Sequence, residues 1–292
     1  MEFRDPEKAT ERTDPWRVDD LLSLSLPRLA PPGGTANPTG MSQRSSLRVL
    51  FVAAPSPLGG SNVSLADVLR TARGIERWVA APEGAFLNRV REQGSAERIF
   101  RIPATDRFAS RWIQSLGLCR NLRALGERVD VIHANSTSGL LIASCSAVAF
   151  RLPVVTWLHD MAPSRARALV GRPLRHLLDS RSSLRFAAVS SVARASGVAN
   201  GLVGSDEVRL IPNPIDPTTI RAWDRHSGRG VRAVYLGNAG HRKGFDVLVE
   251  AVEATADLDV EWRLFTNRRM DHWNRVWWER LDACGDRVVR SD

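Results

Sequence analysis

The chain has 292 residues, 43% of them hydrophobic, which suffices for one large or two modest globular cores. Its net charge of +9 comes almost wholly from arginine, since lysine occurs only at Lys8 and Lys243. Acidic residues are interspersed throughout and no basic–aromatic array or known motif is present, which argues against a nucleic-acid-binding protein. The three cysteines form no Cys-x-x-Cys pair, so a disulfide framework or zinc site is not expected and a reducing cytoplasm fits.

Two features of the sequence bear on membranes and on the N-terminus. No apolar run reaches transmembrane length, and the polar, acidic start is unlike a signal peptide, so we expect a soluble or peripheral protein. Residues 1–46 combine Pro31-Pro32-Gly33-Gly34 and Asn37-Pro38 with scattered charges, which predicts a disordered extension. If translation starts at Met41 instead, most of this segment is mis-assigned.

From residue 47 onward, strand patterns alternate with helix patterns. Leu47–Ala54 is a near-continuous apolar run, as in parallel strands buried on both faces. Further strands are predicted at Arg77–Ala81, Ile99–Pro103, Val129–Ala134, Val154–Leu158 and Phe186–Ser190. Helices are predicted from Ser61 or Asn62 to about Thr71, and at Ala85–Gly94, Arg111–Gly126, Ser138–Phe150, Arg165–Leu178 and Val192–Leu202. The alternation predicts an α/β protein with an open parallel sheet.

The helix Arg111–Gly126 has apolar residues at several turns. Its predicted buried side consists of Ile113, Leu116, Leu118, Leu122 and Leu125.

Ligands of open parallel sheets bind beyond the carboxyl ends of the strands. This rule selects Gly59-Gly60, His133–Asn135, His159-Asp160 and Ser190-Ser191. The glycine pair lets a ligand approach the backbone closely, although an ordinary tight turn explains it equally well. No G-x-G-x-x-G sequence is present, which argues against a dinucleotide-dependent oxidoreductase.

A second strand–turn–helix pattern follows at Val231–Leu236, Gly237–Gly244 and a helix from about Phe245. The strand is predicted to be buried, and the helix to bury one face made of Val247, Leu248, Ala251 and Val252. Lys243 stands just before the helix, where free N–H groups and the helix dipole favour an anion. This arrangement indicates a phosphate site, with an ordinary solvated lysine as the alternative.

The segment Val208–Asp216 (VRLIPNPID), followed by a linker and by this strand–turn–helix, resembles the interdomain region of the GT-B glycosyltransferases of family 4. The resemblance implies a GT-B-like α/β fold. A Rossmann-like N-terminal domain with a parallel sheet would span 47–211, a linker 212–230, and the start of a second Rossmann-like, donor-binding domain 231–292. It also implies transfer, with retention of configuration, from a nucleotide diphosphate sugar to a glycan, lipid-linked or small-molecule acceptor in bacterial polysaccharide or glycoconjugate biosynthesis.

The resemblance assigns the donor diphosphate to the turn of the second domain, which in the family reads G-R-L-x-x-x-K-G. Gly237 and Lys243-Gly244 match this pattern, Asn238 stands at the arginine position, and Arg242 is a candidate to supply the missing charge. Because these cations and the helix N-terminus neutralise the leaving group, neither a metal ion nor another cofactor is expected.

In the first domain, VVTWL-His159-Asp160 resembles the family's T-x-H-D strand end. This makes His159 and Asp160 the catalytic candidates, with His159 beside the reacting sugar; a structural histidine is the alternative. Gly59 and Gly60 would face the acceptor and the diphosphate. His133 is expected to shape the cleft floor, and Asn135 and Ser190 belong to the cleft loops, where bonding to local backbone also explains them.

Three further hypotheses concern partners. The segment Arg165–Arg185 has an apolar side surrounded by basic residues, which are Arg165, Arg167, Arg172, Arg175, His176 and Arg181. This pattern predicts peripheral contact with the inner membrane face or, alternatively, a solvated helix face. No match to the family's acidic E-x7-E motif follows the second domain's strands. A truncated, non-catalytic binding subunit is therefore an alternative to an enzyme. A further hypothesis is that a second chain completes the donor domain.

Overall fold

The structure is a computed structural model that describes residues 46–54, 59–104, 110–160, 165–215, 231–266 and 274–291. For residues 165–172, 242 and 291 it describes the backbone alone. The chain divides into two compact units, residues 1–219 (unit 1) and 220–292 (unit 2). The predicted N-terminal extension and most of the predicted linker lie outside the described residues.

Unit 1 is built on a seven-stranded sheet in the order β3-β2-β1-β4-β5-β6-β7, in which every neighbouring pair is parallel. The strands are β1 (Leu47–Ala53), β2 (Ile75–Pro82), β3 (Arg98–Ile102), β4 (Val131–Asn135), β5 (Val154–Leu158), β6 (Leu184–Ala188) and β7 (Val208–Leu210). The order reverses at β1, so the chain passes from one half of the sheet to the other between β3 and β4. Ligand sites of open sheets lie at such a reversal.

Helices cover both faces of this sheet. They are α1 (Gly60–Thr71), α2 (Ala85–Glu92), α3 (Ser110–Leu125), α4 (Thr137–Phe150), α5 (Arg165–Arg181) and α6 (Ser191–Ala199). Phe51 and Ala53 of β1 pack with α1 and α2, whereas Leu50 and Val52 pack with α3 to α6. Because successive side chains of a strand point to opposite faces, burial on both sides requires the continuous apolar run seen in the sequence.

The alternation of strands and helices predicted for unit 1 is confirmed, and the predicted bounds of β5 agree with the structure. The apolar side predicted for α3 is partly wrong: Ile113 is 67% and Leu116 62% exposed, while the other three residues of that set are buried or partly buried. Gln114 and Ser115 face the core instead and are fully buried.

Unit 2 contains a three-stranded parallel sheet in the order β10-β9-β8. Its elements are β8 (Val231–Leu236), α7 (Phe245–Ala254), β9 (Val260–Phe265), α8 (Arg275–Asp282) and β10 (Val288–Ser291). The bounds of β8 and the start of α7 are as predicted, and the core of the unit packs the two helices against one set of alternate strand residues.

The burial predicted for β8 is wrong. Val231, Val234 and Leu236 are 64%, 55% and 82% exposed, because β8 lies at the edge of the sheet formed by the described residues and the core covers one face. Val247 of α7, predicted to face the core, is likewise exposed, while Val249 takes a buried position.

Candidate active site

A polar cleft of about 170 Å³ lies beyond the carboxyl ends of β1, β4 and β5. Its lining comes from the end of β1, the starts of α1 and α3, the turn between β4 and α4, and the segment after β5. The lining residues are Ala54, Ser61, Asn62, Arg111, Asn135, Ser136, Thr137, Ser138, Leu158, His159 and Asp160. This is the edge of the sheet that the sequence selected for ligand binding.

Asn135, at the end of β4 and only 2% exposed, links three segments of the cleft. Its Nδ2 donates to the carbonyl oxygen of Ser61 at 3.1 Å and to Oδ1 of Asn62 at 3.4 Å. Its Oδ1 lies 2.8 Å from Nε2 of His159. Because the carbonyl oxygen of Ser61 requires an amide donor, Oδ1 of Asn135 accepts and Nε2 of His159 carries the proton. The network fixes the tautomer and orientation of the imidazole.

His159 is a neutral side chain of the cleft lining, and its two ring nitrogens are either bonded to a neighbour or shielded from solvent. Burial lowers its pKa to about 4, although Asp160 and Asn213 partly counteract this. Nε2 is engaged by Asn135, and Nδ1 is shielded from solvent and accepts no hydrogen bond from the described residues. A hydrogen bond between this ring and a ligand therefore requires a shift of the imidazole or of its neighbours.

His133 lies inside the sheet and is not among the residues that line the cleft. It is 6% exposed, with ring centroids at 5.1 Å from Phe51 and 5.8 Å from Trp157. Burial and the neighbouring His159 lower its pKa to about 3, so it is neutral and part of the packing beneath the cleft.

The cleft combines two helix N-termini with an arginine. α1 begins at Gly60 and α4 at Thr137, and the free N–H groups of a first turn favour anions. Arg111 of α3 adds a positive charge, and Asp160 is the acidic side chain among the lining residues. The arrangement suits a ligand that has both hydroxyl groups and an anionic group.

Sequence reasoning missed Arg111 and the turn 136–138. Ser136 caps α4 by accepting a hydrogen bond from the backbone N–H of Gly139 at 3.3 Å. A Cβ added at Gly139 would lie 2.8 Å from the carbonyl oxygen of Val52, so only glycine lets α4 start this close to the sheet. Ser-Thr-Ser-Gly directly after a strand was a usable signal for a capped helix. Arg111 had none, since tertiary structure alone brings it to the cleft.

The remaining predicted residues of unit 1 lie around the cleft or apart from it. Gly59 is the N-cap of α1, whose first turn has no side-chain cap hydrogen bond. A Cβ added at Gly60 would meet no atom within 4 Å, so the space beside it is open. Ser190 accepts from the backbone N–H of Ala193 at 3.1 Å, which caps α6, and it does not line the cleft.

In unit 2, the predicted diphosphate turn between β8 and α7 is held by two side chains that sequence reasoning missed. Oη of Tyr235 donates to the carbonyl oxygen of Asn238 at 2.9 Å. Nδ2 of Asn274, a residue only 1% exposed, donates to the carbonyl oxygen of Ala239, also at 2.9 Å. These two contacts fix the backbone of the turn before any ligand binds.

Lys243 and Gly244 lie directly before α7, as the sequence predicted. Gly244 has a φ of +67°, a left-handed conformation that favours glycine. Lys243 is exposed, and its Cγ would lie 3.6 Å from a Cβ added at Gly237, so the side chain passes close to that glycine. The side chain of Asn238 is also exposed, whereas that of Arg242 lies outside the described residues.

An acidic residue, Asp246, occupies the first turn of α7. Its Oδ2 lies 2.8 Å from Nδ1 of His241. Burial acts to raise the pKa of Asp246, but the hydrogen bonds from His241 and from backbone N–H groups lower it overall. A carboxylate at this position offsets part of the helix dipole, which makes Lys243 the principal attraction for an anion among the described side chains of the turn.

The described ranges contain neither a cluster of metal-ligating side chains nor a helix able to span a membrane. Within these ranges, no group of three or more His, Cys, Asp and Glu side chains is placed to hold a metal ion. None of the helices in the described part of the chain has the length and apolar character needed to cross a bilayer.

A parallel sheet with a cleft at its carboxyl edge, followed by a second strand–turn–helix unit, defines a Rossmann-like protein of the GT-B type. The family model described as Glycosyltransferase Family 4 matches residues 58–219, more than half of the chain. The chain belongs to glycosyltransferase family 4, as the sequence motifs predicted. No curated protein matches it in sequence.

Solved structures confirm the fold. The structure of Anabaena Alr3699/HepE in complex with UDP and glucose has a TM-score of 0.65 at 17% identity, covering 84% of this chain and 68% of HepE. A glycosyltransferase from Rickettsia africae ESF-5 gives 0.60 at 12% identity, with 84% and 68% covered. A putative UDP-N-acetylglucosamine 2-epimerase from Listeria monocytogenes gives 0.55 at 13%, with 85% and 69% covered. At such identities the likeness shows a shared fold and not a shared reaction.

Proposed function

We propose that this protein transfers a sugar from a nucleotide diphosphate sugar to a hydroxyl of a glycan, lipid-linked or small-molecule acceptor, with retention of configuration. The observation that carries the proposal is the cleft of unit 1, which lies in the segment matched by the family model and joins polar side chains, two helix N-termini and Arg111. The HepE structures contain UDP and UDP-glucose, which makes a uridine diphosphate sugar the first donor to test.

The proposed donor contacts lie in unit 2. Lys243, supported by Arg242 and the first N–H groups of α7, would stabilise the diphosphate as negative charge develops on the leaving group. Gly237 and Gly244 let the phosphates approach the backbone, and Asn238 contributes a neutral hydrogen bond where the family has arginine. We propose that this needs no resident metal ion or other cofactor.

The proposed roles in unit 1 concern the sugar and the acceptor. His159 and Asp160 would border the reacting sugar, and Asp160 is the lining carboxylate available to accept a proton or a hydrogen bond. Asn135 holds the neutral imidazole in place. The open space beside Gly60 admits the acceptor or the diphosphate.

The proposed setting is the bacterial cytoplasm, with a role in polysaccharide or glycoconjugate biosynthesis.

The exposed edge strand β8 supports a further proposal, that a second chain or an additional segment pairs with unit 2 to complete the donor domain.

The test uses the full chain with UDP, GDP and ADP and with their glucose or mannose derivatives. Calorimetry measures nucleotide binding, and a coupled assay measures release of nucleoside diphosphate when glycan and glycolipid acceptors are added. Lys243→Gln should weaken nucleotide diphosphate binding by about tenfold or more, the effect of losing one charge-assisted hydrogen bond. Asn238→Arg, which restores the family residue, should tighten it.

The control for Asn238→Arg is Val276→Arg, which adds the same charge at an exposed position of α8 and should leave nucleotide binding unchanged. If no nucleotide binds, the proposal fails. If nucleotides bind but no diphosphate is released with any acceptor, the non-catalytic alternative replaces it.

A further inference from the structure

A second groove lies in unit 1 at the edge of the sheet opposite the cleft, beside the amino ends of β4 and β5. It has a volume of about 640 Å³ and lies between the segments 122–130 and 149–153, which join α3 to β4 and α4 to β5. We call it the amino-edge groove. Its volume falls within the range of sites that bind small molecules.

The amino-edge groove is separate from the cleft. α3 and α4 each run from one to the other, since Arg111 and Thr137 line the cleft whereas Arg123 and Phe150 line the groove. The 14 residues of α4 span about 21 Å at a rise of 1.5 Å per residue. A ligand in the groove therefore does not compete with a ligand in the cleft.

The free charge of the groove is positive. Three exposed arginines line it, and none of them forms an ion pair with another described residue; they are Arg123, Arg128 and Arg151. The carboxylates of the lining are already engaged. Glu127 pairs with Arg48 at 3.1 Å and also with Arg98. Oδ2 of Asp130 accepts from the backbone N–H of Arg48 at 2.8 Å.

Arg151 occupies a backbone position that favours glycine. It ends α4 with φ +54° and ψ +44°, a left-handed conformation in which a Cβ crowds the following carbonyl oxygen. Gly126 follows α3 at the same edge of the sheet with φ +69°. Elsewhere in the described ranges, a non-glycine residue with positive φ is Ser136, which lines the cleft. Side chains held in this way are concentrated at ligand sites.

The helix dipole alone does not explain these arginines. A cation near the last turn of a helix interacts favourably with its negative end. The last turn of α4 contains no basic residue, although an arginine at the exposed Ala149 would supply that charge without a left-handed backbone. Arg128 lies in the loop before β4 and belongs to no helix.

The groove combines this charge with apolar surface. Leu122 and Val129 of the lining are buried, and Phe150 is 38% exposed. An aromatic side chain offers a face on which a ring of a ligand can pack. Guanidinium groups bind phosphate through paired N–H donors. Because the three arginines line one groove of small-molecule volume, the arrangement suits a compact anion better than an extended one.

We propose that the amino-edge groove binds a soluble organic phosphate of nucleotide size, whose phosphates contact Arg123, Arg128 and Arg151 and whose ring packs against Phe150. The site lies at the other end of α3 and α4 from the cleft, and it does not rest on the proposed sugar transfer.

The experiment is calorimetry of the full chain with ATP and, as a probe without a ring, inorganic pyrophosphate. We expect saturable binding of ATP and weaker binding of pyrophosphate. Hydrogen exchange with mass spectrometry locates the site: ATP should protect peptides that cover 122–130 and 149–153. This protection should persist in Lys243→Gln, because that substitution alters the turn of unit 2 and not the groove.

Arg123→Gln and Arg128→Gln should each weaken ATP binding by about tenfold or more, the effect of losing one charge-assisted hydrogen bond. The matched control is Arg120→Gln, which removes the same charge from an exposed position of α3 outside the groove lining and should bind ATP like the parent. Phe150→Ala should weaken binding of ATP and leave that of pyrophosphate unchanged.

Arg151→Gly separates ligand binding from stability. It should weaken ATP binding while raising the urea concentration at the midpoint of unfolding, since glycine adopts the left-handed conformation without strain. Arg151→Lys retains the positive charge and the backbone conformation. It should therefore bind ATP more tightly than Arg151→Gly and unfold at the same urea concentration as the parent.

Several outcomes would overturn the inference. These are absence of saturable ATP binding, protection confined to the cleft or to the turn 237–246, and unchanged binding in both Arg123→Gln and Arg128→Gln. Equal affinity for ATP and pyrophosphate would show a site for a bare anion. Tighter binding of a polyglutamate peptide than of ATP would show a contact surface for an acidic protein. Groove binding without any sugar transfer would count against the proposed function alone.

Discussion

At the scale of single residues, Asn135 determines the chemical state of the cleft. Its amide must donate toward Ser61 and accept from His159, so the proton of the imidazole is placed on Nε2. A histidine in this state presents Nδ1 as a lone-pair acceptor. That atom is the one available to a ligand once the ring becomes accessible.

Replacing Asn135 with aspartate should change the titration of His159. A carboxylate 2.8 Å from Nε2 stabilises the imidazolium, so the pKa of His159 should rise above about 4, at some cost in stability where the carboxylate faces the carbonyl oxygen of Ser61. Histidine ¹⁵N NMR measures both pKa and tautomer. Asn121→Asp, an equal charge change at an exposed position of α3, is the control; an unaltered His159 in Asn135→Asp would refute the network.

His133 should make the protein sensitive to acid. Its folded-state pKa of about 3 lies below the ordinary 6.5, so the unfolded chain binds a proton first as pH falls. Stability from this residue is complete above pH 6.5 and is lost as pH falls toward 3, at about 1.4 kcal/mol per pH unit. His133→Leu should flatten this limb in urea titrations at several pH values, whereas the exposed His176→Leu should not. Equal acid slopes in both variants would contradict the assignment.

The sequence located several cleft residues at the ends of strands and missed Arg111 and the turn 136–138. His159 and Asn135 could be found because β4 and β5 are unmistakable apolar runs with polar residues at their ends. Arg111 belongs to a helix distant in sequence, and its position in the cleft depends on how α3 packs. The shielding of Nδ1 of His159 and the bond of Nε2 to Asn135 depend on side-chain contacts that no spacing encodes.

At the scale of elements, α4 begins unusually close to the sheet. Gly139 permits this, because its missing Cβ leaves room for the carbonyl oxygen of Val52 and the backbone of Ala134. The close approach brings the helix N-terminus and its hydroxyl residues to the edge of the cleft.

Gly139→Ala should therefore destabilise the protein by about 1–3 kcal/mol, since backbone atoms must move to admit the methyl group. Gly117→Ala is the matched change: it lies within α3, its added Cβ meets nothing within 4 Å, and it should stabilise by about 0.5–1 kcal/mol. Urea denaturation of both variants measures the difference. If Gly139→Ala were as stable as Gly117→Ala, the close contact would not be real.

Periodicity predicted the existence of α3 and failed on its orientation. Apolar residues occur on both sides of this helix, so the sequence pattern does not select which arc faces the sheet. The side that faces the sheet carries Leu118 and Leu122 together with Gln114 and Ser115, whose buried hydrogen bonds would be lost if Ile113 and Leu116 turned inward. A similar limit applies to β8, whose apolar run predicts burial on two faces while the described residues cover one.

At the scale of the whole molecule, the two units have separate cores. Trp78 is fully buried in unit 1 and Trp278 is 1% exposed in unit 2. The sheet of unit 2 has three strands among the described residues and a core on one face, whereas that of unit 1 has seven strands covered on both faces. A smaller core offsets less conformational entropy, so unit 2 should be the less stable of the two.

Trp278→Ala should unfold unit 2 selectively. Loss of a buried tryptophan costs about 3–5 kcal/mol, which is comparable with the whole stability expected of so small a unit. Hydrogen exchange with mass spectrometry should then show lost protection in peptides of 231–291 and retained protection in β1 to β6. Trp78→Ala should lower protection in β1 to β6 and leave that of residues 231–291 unchanged. Simultaneous loss of protection throughout the chain in both variants would show one cooperative unit instead.

The strand order also has a consequence for biosynthesis. β1 is the first described strand to leave the ribosome, yet it lies in the middle of the finished sheet between β2 and β4. Until residues 131–135 have been synthesised, one edge of this apolar strand has no neighbour. Nascent chains with open apolar strand edges are the ones that aggregate or bind chaperones. Newly made protein should therefore depend on chaperones for as long as synthesis takes to pass from β1 to β4.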